Sequence, residues 1–572
     1  MSEAGEPTPE NRPTWVLPSP FELYDTTGRY FGTDWGPRPL TLSERGMYQL
    51  SWTLRSKPEW QRKAADPEIL SKWRREAVEQ IKAKKASNAP LEQCVMTEKM
   101  IDYVLAELDG HIKIADNERG IERGCSEAIW YSDRLISDDV LQRLKRSVKA
   151  LEDVPDSQKD WHPGSYGQVL DLVHPSLYCV VYNRTRAYLR GNRTTANFLP
   201  VRALVEDEEP WTSHDFCWLP SDFTIDSDGT VALASTYINN LHPVHAPLYR
   251  VIEEVLTAFV PMFERVLGDA NREGARLPFS DTGRLQEVRC IWGPDGELFP
   301  EEEPGSGEDE NEFHDKFLAT IPPVMPEANE YTGQLEAGFK PVDLRGRTVQ
   351  CIIKLANIHL TTENPQYAGG SWHVEGMANE KIVASGIYYY DAENVTESEL
   401  AFRVPIAEPE YHMQGDSKCM RILYGMQTED FCVQDIGAVP TKAGRALSWP
   451  NLFQHRVSPF KLVDPTKPGH RKILAIFLVD PTKKPIVSAT DVPPQQAEWA
   501  AEAFVEARAA PTSLLGKLPQ ELCDLVEEYV FEAVMTLEEA KAYRLKLMVE
   551  RTALLSDHTK EVYRQPFNMC EH

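Results

Sequence analysis

The sequence predicts an α+β fold: a distorted β-barrel or paired-sheet core with helical additions at both ends. Three observations predict it. Helical periodicity dominates from Leu42 to about Ala150 and returns after Pro519; the strongest strand signals fall between Val349 and Val479; and no glycine-rich turn marks a parallel nucleotide-binding sheet. A chain of 572 residues, 42% of them hydrophobic, can bury a substantial core in one to three domains. The expected organisation is an arm over 1–40, a mainly helical covering region over 41–160, a β core with helical insertions over 161–500, and a helical region over 501–572. An acidic loop at 301–315 reads as a solvated insertion, because it lacks the ligand spacing of a calcium loop.

In the arm, Tyr24, Tyr30, Phe31 and Trp35 can pin the chain to the folded body. Thr97 is placed to cap a helix in which Ile101, Val104, Leu105 and Leu108 recur at helical spacing, with a turn at Asp109-Gly110. Val169, Leu170, Leu172 and Val173 suggest an apolar helix or packed connection. Leu177 to Tyr182, Phe216 to Leu219 and Ala232 to Ile238 are strand candidates. Leu248, Val251, Ile252, Val255, Leu256 and Phe259 share one helix face. Val349 to Leu355, Lys381 to Tyr390 and Arg471 to Val479 read as buried strands. Pro519 suits a helix start that turns Leu522, Leu525 and Val526 inward, and Thr536 with Glu539 forms a capping-box pattern.

Asp and Glu number 88 against 61 Lys and Arg, a formal charge of −27. That charge opposes binding to a phosphate backbone, so nucleic acid is not an expected partner. The N-terminal residues lack a secretory pattern and no segment is apolar enough to span a membrane, so the cytoplasm is the expected location, with the nucleus open. The ten cysteines are scattered without a CxxC pair, which gives no zinc knuckle. Nothing in the sequence reads out an oligomer or a protein partner.

The chemistry concentrates at Ser371-Trp372-His373-Val374-Glu375. In an extended backbone, residues two apart face the same side, so His373 and Glu375 can approach one metal while Val374 turns away. His455, in the return segment Pro450-Asn451-Leu452-Phe453-Gln454-His455, can supply a second imidazole. Two imidazoles and a carboxylate form a facial triad suited to Fe(II), with three adjacent positions left for a keto acid and dioxygen. Arg471, 16 positions beyond His455, offers a bidentate grip for the distal carboxylate of 2-oxoglutarate. Lys354 and Tyr388 are further candidates for that carboxylate. Tyr237, Asn239 and Asn240 are candidates to line the primary-substrate pocket.

The segment Gly369-Gly370-Ser371-Trp372-His373-Val374-Glu375-Gly376 resembles the fungal DUF4246 family. So do Ser235 to Pro243, Tyr388 to Asp391, Trp449 to Val457 and His470 to Pro481, and the resemblance covers most of the chain from about residue 40 onward. That family looks like a branch of the 2-oxoglutarate/Fe(II) oxygenases. The resemblance implies a double-stranded β-helix core of jelly-roll or cupin type. It assigns the metal to His373, Glu375 and His455 and the cosubstrate to Arg471. The acidic ligand here is Glu375 where many relatives carry Asp. The expected activity is Fe(II)- and 2-oxoglutarate-dependent oxidation of an unidentified small molecule, chiefly C–H hydroxylation with succinate and carbon dioxide as co-products. Desaturation or cyclisation, a non-catalytic ligand-binding protein on the same scaffold, and a zinc hydrolase are the alternatives.

Overall fold

The computed structural model describes residues 13–21, 37–87, 93, 95–188, 197–203, 210–271, 283–286, 305, 309, 313, 316–317, 325–409, 417–510 and 512–569. The arm aromatics Tyr24 to Trp35 and most of the acidic loop lie outside these residues. The helical covering region opens with Leu42–Arg55, where Thr41 and Glu44 form a reciprocal capping box. Pro67–Ala86 and Glu98–Ile114 follow, capped by the side chains of Asp66 and Thr97. The second of these runs straight through Asp109-Gly110, because its apolar stripe continues to Ile114.

Nine strands form the main sheet. Its order is Glu122–Arg123, Trp130–Ser132, Ala446–Pro450, Ile382–Glu393, Gly469–Val479, Arg347–Leu360, Ser221–Ile225 and Val231–Leu233, with Val169–Val173 paired to the other half of Arg347–Leu360. Every pairing in it is antiparallel. A second, three-stranded sheet holds Ser398–Pro405 between Val433–Thr441 and Gln454–Val457.

The two faces of the main sheet do different work. On one face Ile353, Leu355, Tyr388, Tyr390, Leu474 and Ile476 pack against the long helix Ala246–Ala270. Gly386 lies under that helix, where a Cβ would come within 2.8 Å of the Phe259 ring, so only glycine allows this approach. On the other face Ile387, Tyr389 and Ile473 meet Leu400, Phe402 and Val439 of the small sheet. The C-terminal helix Leu537–Tyr563 binds this side through Arg544 to Asp160, Arg551 to Glu380, and the Tyr563 hydroxyl to the Leu452 carbonyl.

The expected double-stranded β-helix is not formed. Both sheets are open, and they face one another without a shared ladder. Three converging donors constrain a few residues locally, whereas barrel closure is set by long-range register, which those donors do not dictate. Smaller expectations also fail. Val169–Val173, expected as an apolar helix or packed connection, is a strand. Leu522 and Leu525, expected to face inward, are 46% and 50% exposed, and Cys523 is the buried residue of that helix.

Candidate metal centre

Residues 371–376 are not a regular strand, yet the backbone still turns His373 and Glu375 to one side. His373 and His455 form an isolated antiparallel bridge, each N–H donating to the other's carbonyl, at 3.3 and 3.0 Å. Val374 is buried with Ile387, Tyr389 and Trp449, which anchors the loop and points its neighbours away. Gly376 follows with φ +76, and a Cβ there would lie 2.8 Å from Glu380 Oε2. Glycine therefore lets the chain turn off directly after the carboxylate.

Asn451 is a positioning residue that sequence reasoning missed. It is fully buried, and its Oδ1 accepts the Glu375 N–H at 2.8 Å while its Nδ2 donates to the Glu375 carbonyl at 2.9 Å and the Ile382 carbonyl at 3.1 Å. One amide thus ties the His373–Glu375 loop to the main sheet, four residues before His455. Arg403 and Arg456 stack on Trp372 at 4.7 and 4.6 Å, and Trp449 meets the His455 ring edge-on at 4.8 Å.

His373 Nε2 and His455 Nε2 lie 3.7 and 3.4 Å from Glu375 Oε1, and the two rings are 4.3 Å apart. His373 Nδ1 donates to the Ser371 carbonyl at 2.8 Å. A carbonyl only accepts, so the proton is on Nδ1 and the Nε2 lone pair faces the carboxylate. Burial pushes the Glu375 carboxyl up, but the two imidazoles outweigh it and hold the pKa well below the usual carboxylate range. Burial also lowers both imidazoles. Glu375 reverses this at His373, whose pKa is raised, while His455 stays lowered beside it. The donor set fits a divalent cation, which would satisfy both lone pairs and the carboxylate at once. The His373 side chain is 39% exposed and His455 only 6%, so the group opens on one side.

A second group has the same composition. The ligand atoms of His162, Asp171 and His174, like those of His373, Glu375 and His455, all lie within 4.8 Å of one another. Here His162 Nδ1 donates to Asp171 Oδ2 at 2.7 Å, and His174 Nδ1 accepts the Ser176 N–H at 3.2 Å. A neutral His174 therefore carries its proton on Nε2, the atom a metal would need as a lone pair.

Arg471 lies on the small-sheet side of the main sheet, 2% exposed. Its Nη1 donates to Ser398 Oγ at 2.6 Å, its guanidinium stacks on Phe460 at 4.0 Å, and its Nε has no partner. No acid pairs with it among the described residues. Burial lowers its pKa, partly offset by Tyr389 and Tyr367. Lys354 shares this face, opposite Ala475. Tyr388 does not; it packs on the helix side, and the structure does not bring it to Arg471. The neighbouring Tyr389 faces Arg471 instead, with a buried hydroxyl that has no partner. Tyr237, Asn239 and Asn240 belong to another part of the fold. The Tyr237 hydroxyl donates to the Pro493 carbonyl, Asn239 Nδ2 to the Leu177 carbonyl, and Asn240 takes φ +60 in a tight turn. That turn leads to His242 and Pro243, which border a separate groove of about 900 Å³ with Trp499 and Tyr529.

Among solved structures, the selenomethionine-labelled Fe(II)/(alpha)ketoglutarate-dependent dioxygenase TqaL is similar at 9% identity and a TM-score of 0.26, over 62% of this chain and 79% of that one. IDO from Bacillus thuringiensis is similar at 8% identity and a TM-score of 0.15, over 24% and 48%. No curated protein matches. Residues 7–76 match the family described as "Domain of unknown function DUF4246, N-terminal". Residues 98–503 match "Protein of unknown function (DUF4246)", and with most of its length so covered, including all three donors of the open group, the chain belongs to the DUF4246 family.

Proposed function

We propose that the protein is an Fe(II)- and 2-oxoglutarate-dependent oxygenase that oxidises a C–H bond of a small molecule, with hydroxylation as the main outcome. The observation that carries this reading is a pair of unmet needs on one face of the sheet. The His373–Glu375–His455 group has two imidazole nitrogens and a carboxylate oxygen crowded together. Arg471 is a buried cation without an acid among the described residues. A buried cation of this kind costs several kcal/mol unless an anion joins it. A divalent metal answers the first need and the carboxylate of a keto acid the second.

Fe(II) and 2-oxoglutarate, when bound, supply oxidation of a C–H bond by dioxygen, with succinate and carbon dioxide as co-products. The chain's own residues do the positioning. Ser371 keeps the His373 proton on Nδ1. Asn451 holds the Glu375 backbone in place. Phe460 and Ser398 fix the plane of the Arg471 guanidinium so that its remaining N–H groups stay available. Trp449, Phe402 and Leu452 wall the His455 side with apolar surface, which keeps water from it.

The test is succinate formation by purified protein supplied with Fe(II), 2-oxoglutarate and oxygen. Slow turnover that needs all three, and is lost in His373→Ala, supports the reading. A protein isolated with full native iron that yields no succinate across a metabolite screen would instead be a ligand-binding protein.

A further inference from the structure

The helices Ala497–Ala509 and Gln520–Ala533 pack on one another and leave an apolar face uncovered among the described residues. Leu522, Leu525 and Tyr529 recur at helical spacing along the second helix, all exposed, Tyr529 to 75%. The stripe runs on through Val526, Val530 and Ala533 into the groove of about 900 Å³, which Trp499 and Ala503 of the first helix also line. The rest of that lining is aromatic as well: Tyr188 stacks on Phe198 at 4.7 Å, and His242 meets Trp499 edge-on at 4.6 Å. A contiguous exposed apolar surface with a polar rim marks a place where something binds. Here the rim is acidic. Glu502, Glu506 and Glu532 line the groove, and Glu521 and Glu528 precede Glu532 at helical spacing beside the stripe. His242 reaches Glu502 at 3.5 Å, and the other four carboxylates meet no cation among the described residues. Arg186, on the same lining, donates from Nη1 to the Phe198 carbonyl at 3.5 Å. Residues 497–533 hold eight Asp and Glu against Arg508 and Lys517.

We propose that this face docks a basic amphipathic helix of a partner protein. The apolar side of that helix lies in the groove and along Leu522, Leu525 and Tyr529, and its Lys and Arg side meets Glu506, Glu528 and Glu532. Charge selects this occupant. A second copy of the chain would set the acidic rows against one another, and an anionic lipid surface would be repelled. Length selects a helix. Gln520–Ala533 has 14 residues and spans about 21 Å, and the exposed stripe follows it beyond the groove. An apolar groove extended by such a stripe suits a partner helix read through anchors one turn apart, with the aromatic Tyr529 as the central contact. None of His373, Glu375 and His455 lines this face, so the docking is independent of the metal centre.

The test titrates the full chain into a fluorescein-labelled peptide of about 14 Leu and Lys residues patterned as an amphipathic helix, and anisotropy reads the binding. Salt is held at about 0.15 M, where exposed charges more than about 8 Å apart are screened. Saturable one-to-one binding is expected. Tyr529→Ala should raise the Kd about tenfold, and so should Glu506→Lys combined with Glu532→Lys. All three side chains are at the surface or on the groove, so the fold should hold in both variants. Glu79→Lys combined with Glu118→Lys makes the same change of charge outside the groove and should shift the Kd by less than about threefold. The absence of saturable binding overturns the proposal. Equal losses in the two double variants overturn it too, because they reduce the binding to overall charge. So does equal affinity for a peptide of the same composition in scrambled order, which presents no apolar side. Sedimentation of the free protein is run beside the titration. A dimer that is lost in Tyr529→Ala gives the stripe to a second copy and also overturns it.

Discussion

The two groups of two histidines and one acid lie on the same side of the main sheet and differ in where their protons are. In the His373 group a backbone carbonyl takes the Nδ1 proton and leaves the Nε2 lone pair aimed at Glu375. In the His174 group a backbone N–H takes the Nδ1 lone pair and leaves Nε2 protonated, while Asp171 is paired with His162. Identical composition and similar spacing therefore give one set with an imidazole lone pair aimed at its carboxylate and another in which Asp171 Oδ2 and Ser176 N–H already engage the Nδ1 atoms, while Asp171 Oδ1 is left without a partner. Ligand competence is decided by the partner of the second ring nitrogen more than by the presence of the ring.

The largest effect expected from this difference is in metal content. Wild-type protein should retain one equivalent of Fe(II) or Zn(II) after desalting. His373→Ala or His455→Ala should lose metal affinity by more than the roughly 10–100-fold cost of removing an outer partner. His174→Gln and Asp171→Asn should keep the single equivalent. Elemental analysis of the four variants breaks the comparison if wild-type protein carries two equivalents and His174→Gln carries one.

Next in size is the cosubstrate. Arg471→Met keeps much of the apolar stem over Phe460 and removes the charge, so the fold should hold while 2-oxoglutarate binding weakens by on the order of 10²-fold, about 2–3 kcal/mol. Anaerobic calorimetry on the metal-loaded protein checks it, and an unchanged Kd would make Arg471 a structural partner of Ser398. Asn451→Ala removes the amide that fixes Glu375. Metal affinity should fall about tenfold with all three ligands intact. Asn451→Asp should not rescue it, because a carboxylate cannot donate to the Glu375 and Ile382 carbonyls.

How much of this was legible in the sequence depends on how far each feature reaches along the chain. The i, i+2 spacing of His373 and Glu375 is local, and extended geometry alone turns both to one side. Alternation along the strand sets Lys472 on the opposite face from Arg471, and it pairs there with Glu152 at 2.8 and 2.9 Å. The sequence puts Tyr388 forward for the cosubstrate, whereas Tyr389 is the one on the Arg471 side, because which of two neighbours takes that face depends on pairing with Gly469–Val479, which shifts register after Tyr389. Asn451 acts across 76 residues, a distance no local pattern encodes. The His162–Asp171–His174 group stayed hidden because Val169–Val173 reads as an apolar helix or packed connection. An aspartate inside Val-Leu-Asp-Leu-Val was the available signal, since a carboxylate in an apolar strand needs a buried partner.

The smallest expected effect is on stability against pH in the metal-free protein, and there the two groups should pull in opposite directions. His174 is buried among Lys354, His162, Arg544 and Arg551, and burial first, then those charges, depress its pKa below the ordinary 6.5. The unfolded chain then binds the proton first, so stability falls as pH drops below 6.5, by up to about 1.4 kcal/mol per pH unit. His373 differs: Glu375 and the Ser371 carbonyl overcome burial and raise its pKa above 6.5. Its contribution is complete below 6.5 and is lost as pH rises through the folded-state value. His174→Gln should therefore flatten the loss of stability on acidification below 6.5, and His373→Gln should remove a contribution that fades on the alkaline side. Urea unfolding of the two metal-free variants across this range reads both slopes. If both substitutions change the same limb in the same sense, the two histidines do not differ in proton affinity in the way their backbone partners require.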